Sequence, residues 1–155
     1  MDSPIPTTLA EAFDGEGLDA KLGLSALLST VDADGWPHVS FLSAGDLLIT
    51  PPDEARLILW PQATTVANLS FRRRGVLFGA ADGAVHELRF DVTAIDPCEA
   101  RGTIVIARIV AKRTHRAPYA EVDSLIDFRL HDPQNVVDRW RAQMAALQAK
   151  RSTDS

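Results

Sequence analysis

Several common kinds of protein are excluded by what this chain lacks. It has one cysteine, Cys98, so no disulfide can staple it internally. Acidic residues outnumber basic ones, 21 to 16, which argues against a general nucleic-acid-binding surface. No apolar run reaches the roughly 20 residues of a membrane span. The opening stretch MDSPIPTTLAEAFDGEG has neither the basic start nor the apolar core of a secretion signal. Together these absences predict a cytoplasmic protein. His38, His86, His115 and His131 stand at no metal-ligand spacing, so no metal site is predicted. Nucleophile-elbow, triphosphatase phosphate-loop and dinucleotide glycine fingerprints are all missing. There is no internal repeat and no low-complexity segment.

What remains is the composition of a folded globular domain. At 155 residues and 46% hydrophobic content, the chain suits one domain spanning residues 1–155. Residues 1–20 read as a helical arm. Its first six residues are expected to be loose, Thr7 caps a helix from Thr8 to Phe13, and Gly15 and Gly17 break it. Next comes a hairpin, LSALLSTV and WPHVSFLS around Asp32-Ala33-Asp34-Gly35. Trp36, His38, Ser40 and Leu42 alternate with Val39, Phe41 and Ser43, and neither face is wholly apolar. Such a strand suits the lining of a groove or a dimer seam.

A short apolar strand, GDLLIT, precedes the Pro51-Pro52-Asp53 turn. Beyond Asp82-Gly83, Leu88, Phe90 and Val92 alternate with Glu87, Arg89 and Asp91, and Asp96-Pro97 is expected to end that strand, leaving Cys98 in a loop. TIVIARIVAK, residues 103–112, is apolar on both faces and so needs a second cover, for which a partner subunit is one source. Leu125 to Leu130 reads as a last strand. Asp132-Pro133 then starts a helix over 133–150, with Val136, Val137, Trp140, Met144 and Leu147 as its apolar stripe. The expected fold is mainly β: a barrel of six or seven strands with a few helices.

The central stretch is LILWPQATTVANLSFRRRGVLFG, from Leu57 to Gly79. It reads strand, loop, short helix, strand. Thr64 or Thr65 can cap the helix, and Gly75 is expected to stop it. A helix start with spare N–H groups and two hydroxyls can seat a phosphate, although most such threonine pairs are simple caps. Trp60 suits stacking on an aromatic ligand and equally a core or interface position. Arg72, Arg73 and Arg74 suit either an anion or the solvated C-terminal end of a helix.

The turn motif Asp-x-x-Gly-x-Pro in LLSTVDADGWPHVSFLS, followed by LILWPQATTVANL and Gly75, resembles the pyridoxamine 5′-phosphate oxidase-like flavin-binding split barrels over roughly residues 20–115. The resemblance implies a Greek-key split β-barrel with a short helix after the third or fourth strand, and a homodimer with FMN sites at the subunit interface. It places Val39, Ser40 and Phe41 beside the flavin ring. Leu59, Trp60, Pro61 and Gln62 line the site, with Thr64, Thr65 and Asn68 near the phosphate. The basic residues of the true oxidases are replaced here by Ser40 and by Thr64-Thr65-Val66. Arg129-Leu130-His131 is similar to the oxidases' pyridoxal-phosphate-gripping tail, but Asp132-Pro133 explains that stretch as a helix start. The implied function is FMN-dependent redox chemistry on a small molecule, with no catalytic residue named. The alternatives are an F420-dependent reductase, a non-catalytic flavin- or haem-binding or sensor barrel, and a purely structural dimerisation module.

Overall fold

The computed structural model describes residues 5–61, 63–98 and 102–150. Strands β1 (Ser25–Val31), β2 (Pro37–Ser43), β3 (Leu47–Thr50), β4 (Glu54–Leu59), β5 (Arg74–Ala81), β6 (Ala84–Cys98) and β7 (Gly102–His115) form one antiparallel sheet. Their order is β2-β1-β5-β6-β7-β4-β3. The sheet curls into a half-barrel whose edges, β2 and β3, are consecutive in the chain. β4 lies beside β7 at the end of the β5–β6–β7 meander, a Greek key, and helix α2 (Thr64–Arg72) fills its long connection.

Local chemistry explains the hairpins. The Asp32 carboxylate accepts the N–H groups of Asp34 and Trp36, and Gly35 takes a left-handed φ of 89°. Pro37 opens β2 on the sheet edge, where its missing donor costs no ladder bond. Asp82 and Gly83 both have positive φ, as a two-residue turn between β5 and β6 requires.

Two apolar cores lie on opposite faces of the sheet. The inner core gathers Leu28, Leu57, Leu77, Leu88, Phe90 and Val105. Helix α1 (Thr7–Ala12) plugs one end of it with Leu9, and Phe13 follows just after the helix. The outer core joins Ile58, Ile104 and Ile106 to Val137, Trp140, Met144 and Leu147 of helix α3 (Pro133–Ala149). α3 is also held by polar bonds. The buried Arg56 of β4 donates from Nη1 to the carbonyls of Leu147 (2.7 Å) and Lys150 (2.5 Å), a cation at a helix C-terminus. Gln143 donates to the Gly45 carbonyl at 2.7 Å. Trp140 packs so closely on Gly45 that a Cβ there would overlap the indole.

Several expectations are corrected. The second cover of the two-sided strand β7 comes from α3 of the same chain, because Ile104 and Ile106 face the helix while Val105, Ala107 and Ile109 face the barrel. Residues 125–130 form no strand; the Ile126 carbonyl accepts the Ser25 hydroxyl at 3.2 Å. β6 continues through Pro97 to Cys98, since beyond Asp91 it pairs with β7 alone and a missing donor there breaks no β5 bond. Arg73, with φ of 60°, ends α2, whereas Gly75 lies within β5 under the Phe90 ring. Neither Thr64 nor Thr65 caps α2; Ala63 does, without a side-chain bond. Ile5 is buried in the inner core rather than loose, and α1 begins at Thr7 after Pro6.

Candidate active site

A cavity of about 540 Å³ opens where β2 passes the end of β4, between residues 128–130 and α3. Each wall has a local cause. β4 stops before Pro61, which turns the chain outward and leaves Trp60 74% exposed. β7 begins close beneath it at Gly102, whose φ is 126° and where a Cβ would strike the Leu59 carbonyl. Phe128 stands edge-on to Phe41, with centroids 4.9 Å apart and planes at 67°. Val136, Arg139, Trp140 and Gln143 line the opposite wall at the spacing of one helix face.

Of the residues predicted to line a site, Ser40, Phe41, Leu59, Trp60 and Pro61 meet in this cavity. Gln62 lies outside the described residues. Val39 is exposed on the outer face of β2. Thr64 is exposed at the first position of α2. Thr65 and Asn68 are buried and committed to the barrel: the Thr65 hydroxyl hydrogen-bonds with that of Ser40, and Asn68 Nδ2 donates to the Thr30 hydroxyl at 3.0 Å. These two side chains lock α2 onto β1 and β2 and so fix where its first turn points. The helix start is therefore built in two layers, Thr64 facing outward and Thr65 and Asn68 anchoring it.

Two of the three arginines at the end of α2, Arg72 and Arg74, have local tasks. Arg72 donates from Nε and Nη2 to the Asp32 carbonyl at 3.1 and 2.8 Å, tying the helix end to the hairpin turn. Arg74 lies 3.7 Å from the Asp91 carboxylate. Phe128 and Leu130 line the cavity, whereas the neighbouring Arg129 and His131 are exposed and take no part in its wall. That placement fits the helix-start reading of this stretch.

Sequence reasoning missed the polar side of the cavity. Asp46, in the loop between the two edge strands, accepts the Ser43 N–H and hydroxyl at 2.9 and 2.7 Å, and the Gln143 amide at 3.0 Å. Its carboxylate thus fixes the loop. Arg139 was hidden by the apolar stripe around it, although its three-residue spacing from Val136 placed both on one helix face. Among the described residues, no group of three His, Cys, Asp or Glu side chains could hold a metal ion, and no helix is long and apolar enough to cross a membrane.

No family model matches the chain. The Bacillus subtilis (strain 168) protein YclD, itself uncharacterized, is 29% identical over 142 residues, covering 90% of this chain and 92% of YclD. HupZ of Group A Streptococcus superposes with a TM-score of 0.57 at 10% identity, over 76% of this chain and 98% of that one. An FMN-binding protein from Syntrophomonas wolfei subsp. wolfei gives 0.51 at 16% identity, over 67% and 86%. An F420 reductase gives 0.50 at 17% identity, over 63% and 97%. By strand order, curl and helix placement, the chain has the split-barrel fold of the pyridoxamine 5′-phosphate oxidase-like proteins.

Proposed function

We propose that the cavity seats a flavin ring and that the protein is a homodimeric, cytoplasmic oxidoreductase acting on a small molecule. The supporting observation is the convergence of Ser40 and Phe41 with Leu59, Trp60 and Pro61 on one largely apolar cavity. Its volume falls within the ~300–1,000 Å³ usual for small-molecule sites. The bound flavin would supply the redox chemistry. The chain would supply binding, orientation and exclusion of water. Trp60, Phe41 and Phe128 offer aromatic surfaces to a planar ring, and Leu59 and Leu130 keep its surroundings dry. Thr64 and the N–H groups of the first turn of α2 would hold the phosphate, with Thr65 and Asn68 supporting that turn from behind. Gln62 and Val39 would complete the contacts, Val39 from the outer face of β2.

The homodimer is supported by an apolar strip on the outer face of the sheet. Val39 and Phe41 of β2 share that face with Leu27 of β1 and Val76 and Phe78 of β5, and none of them is buried. A second copy would cover it and bring two cavities beside one interface.

F420 is the second reading of the cofactor. It is favoured by the absence of any cation from Thr64-Thr65-Val66 and by the shared fold with an F420 reductase. The test is the visible absorbance of the protein after incubation with FMN or with F420 and desalting. A retained flavin band that weakens in Trp60→Ala and Thr64→Ala supports the FMN reading. Retention of F420 alone selects the second. A colourless protein in both cases leaves a non-flavin ligand or a structural barrel.

A further inference from the structure

We propose that Arg139 is the anion-recognising group of the cavity, so that the ligand carries a phosphate or carboxylate on an apolar body. The inference rests on the reading of the cavity as a ligand site. Arg139 projects from the cavity-lining face of α3, between Val136 and Gln143. Its charged neighbours on the helix, Asp138 and Arg141, pair with each other at 3.4 Å. Among the described residues, no carboxylate lies within ion-pair distance of Arg139. Asp46, the acid in the same cavity, is held by Ser43 and Gln143.

The rest of the wall is mainly apolar, with Phe41, Trp60, Phe128 and Trp140 contributing aromatic rings. A guanidinium beside such a wall attracts an anion more strongly than one in open water, because the low-dielectric surface screens it less. Its planar fork also suits the two oxygens of a carboxylate or phosphate. The cavity thus combines an apolar seat with a cation at its rim that, among the described residues, has no carboxylate partner. The same chemistry has two sources. The anion is either the phosphate of the cofactor, for which the start of α2 provides no cation, or the charged end of a second small molecule.

Titration of the full chain with matched ligand pairs tests this. FMN and riboflavin differ by the phosphate; benzoate and benzamide differ by the charge. Wild-type protein is expected to prefer the anionic member of at least one pair. Arg139→Gln should weaken that member by roughly 10- to 100-fold and leave the neutral one unchanged. Arg139→Lys should retain most of the preference. Loss confined to FMN assigns the cofactor phosphate, and loss confined to benzoate assigns a second molecule. If neither flavin binds, the flavin reading fails, while the benzoate and benzamide pair still tests the cation. The proposal is overturned if wild type shows no preference in either pair, or if Arg139→Gln leaves the preference intact. Unchanged circular dichroism and melting temperature separate these outcomes from misfolding, as expected for an exposed side chain.

Discussion

Two apolar faces of the same sheet have met different fates. On β7 and β4, Ile104, Ile106 and Ile58 are sealed beneath α3. On β1, β2 and β5, Leu27, Val39, Phe41, Val76 and Phe78 share an outer face on which none of them is buried, and among the described residues no helix covers it. The amino-acid pattern alone did not separate them. An apolar run on both sides of β7 looked like a place for a partner, and the mixed pattern of β2 suited a groove or a dimer seam. A two-sided apolar strand therefore demands a cover without saying whose. Burial is decided by where the remaining chain runs, and 17 helical residues at the C-terminus were enough to satisfy β7 internally.

The sharpest way to break this contrast is to damage the sealed face. Trp140 is 1% exposed, so Trp140→Ala should cost about 3–5 kcal/mol in denaturant unfolding, from lost transfer energy and the cavity left behind. A loss below about 1 kcal/mol would mean that α3 packs less tightly than its contacts indicate. The open face should respond differently. Val39→Asp should barely change unfolding of the monomer, since Val39 is 59% exposed. It should weaken a homodimer by about 2 kcal/mol, read as a shift in the concentration dependence of light-scattering mass. A mass that is monomeric in the wild type at all concentrations would remove the dimer from the comparison.

A smaller effect separates anchoring from ligand contact at α2. Asn68→Ala should destabilise by about 1–2 kcal/mol, because it leaves the buried Thr30 hydroxyl without its donor. If the proposed flavin binds, its loss from Asn68→Ala should follow from a loosened helix start, so low temperature should restore it. The smallest effect lies far from both faces. Partial burial pushes the Asp14 carboxyl up, but the Lys21 ammonium at 2.7 Å and the Glu16 N–H outweigh it and hold Asp14 below its ordinary value of 3.8. Its folded pKa is thus depressed. The associated stability is present above the unfolded pKa and lost as pH falls through the folded one. For a solvent-screened pair this amounts to roughly 0.2–1 kcal/mol, and Lys21→Met should flatten that part of the acid-unfolding profile.

Much of the fold was legible locally. Asp32 and Gly35 specify the first turn, Asp82-Gly83 the second, and Leu88-Phe90-Val92 the buried face of β6, because turn dihedrals and strand alternation are properties of a few adjacent residues. Asp132-Pro133 likewise marks the start of α3, although Asp132 accepts the Asn135 amide at 2.6 Å instead of capping the backbone. Other local signals misled. Leu125 to Leu130 alternates like a strand but finds no ladder. Gly75 looked like a helix stop, yet its missing side chain makes room for Phe90 of the neighbouring strand.

The candidate site divides along the same line. Its first half was readable locally: a strand stopping before Pro61, a short helix following it within a few residues, and a hairpin strand bearing Ser40 and Phe41. These follow from backbone propensities acting within a few residues. Long-range packing selected the pairing of Thr65 and Asn68 with Ser40 and Thr30, the closure of Phe128 against Phe41, and the placing of Arg139 on the cavity. Each depends on segments 25 to nearly 100 positions apart coming together. Such contacts are selected by the packing of the whole chain, and no local pattern encodes them.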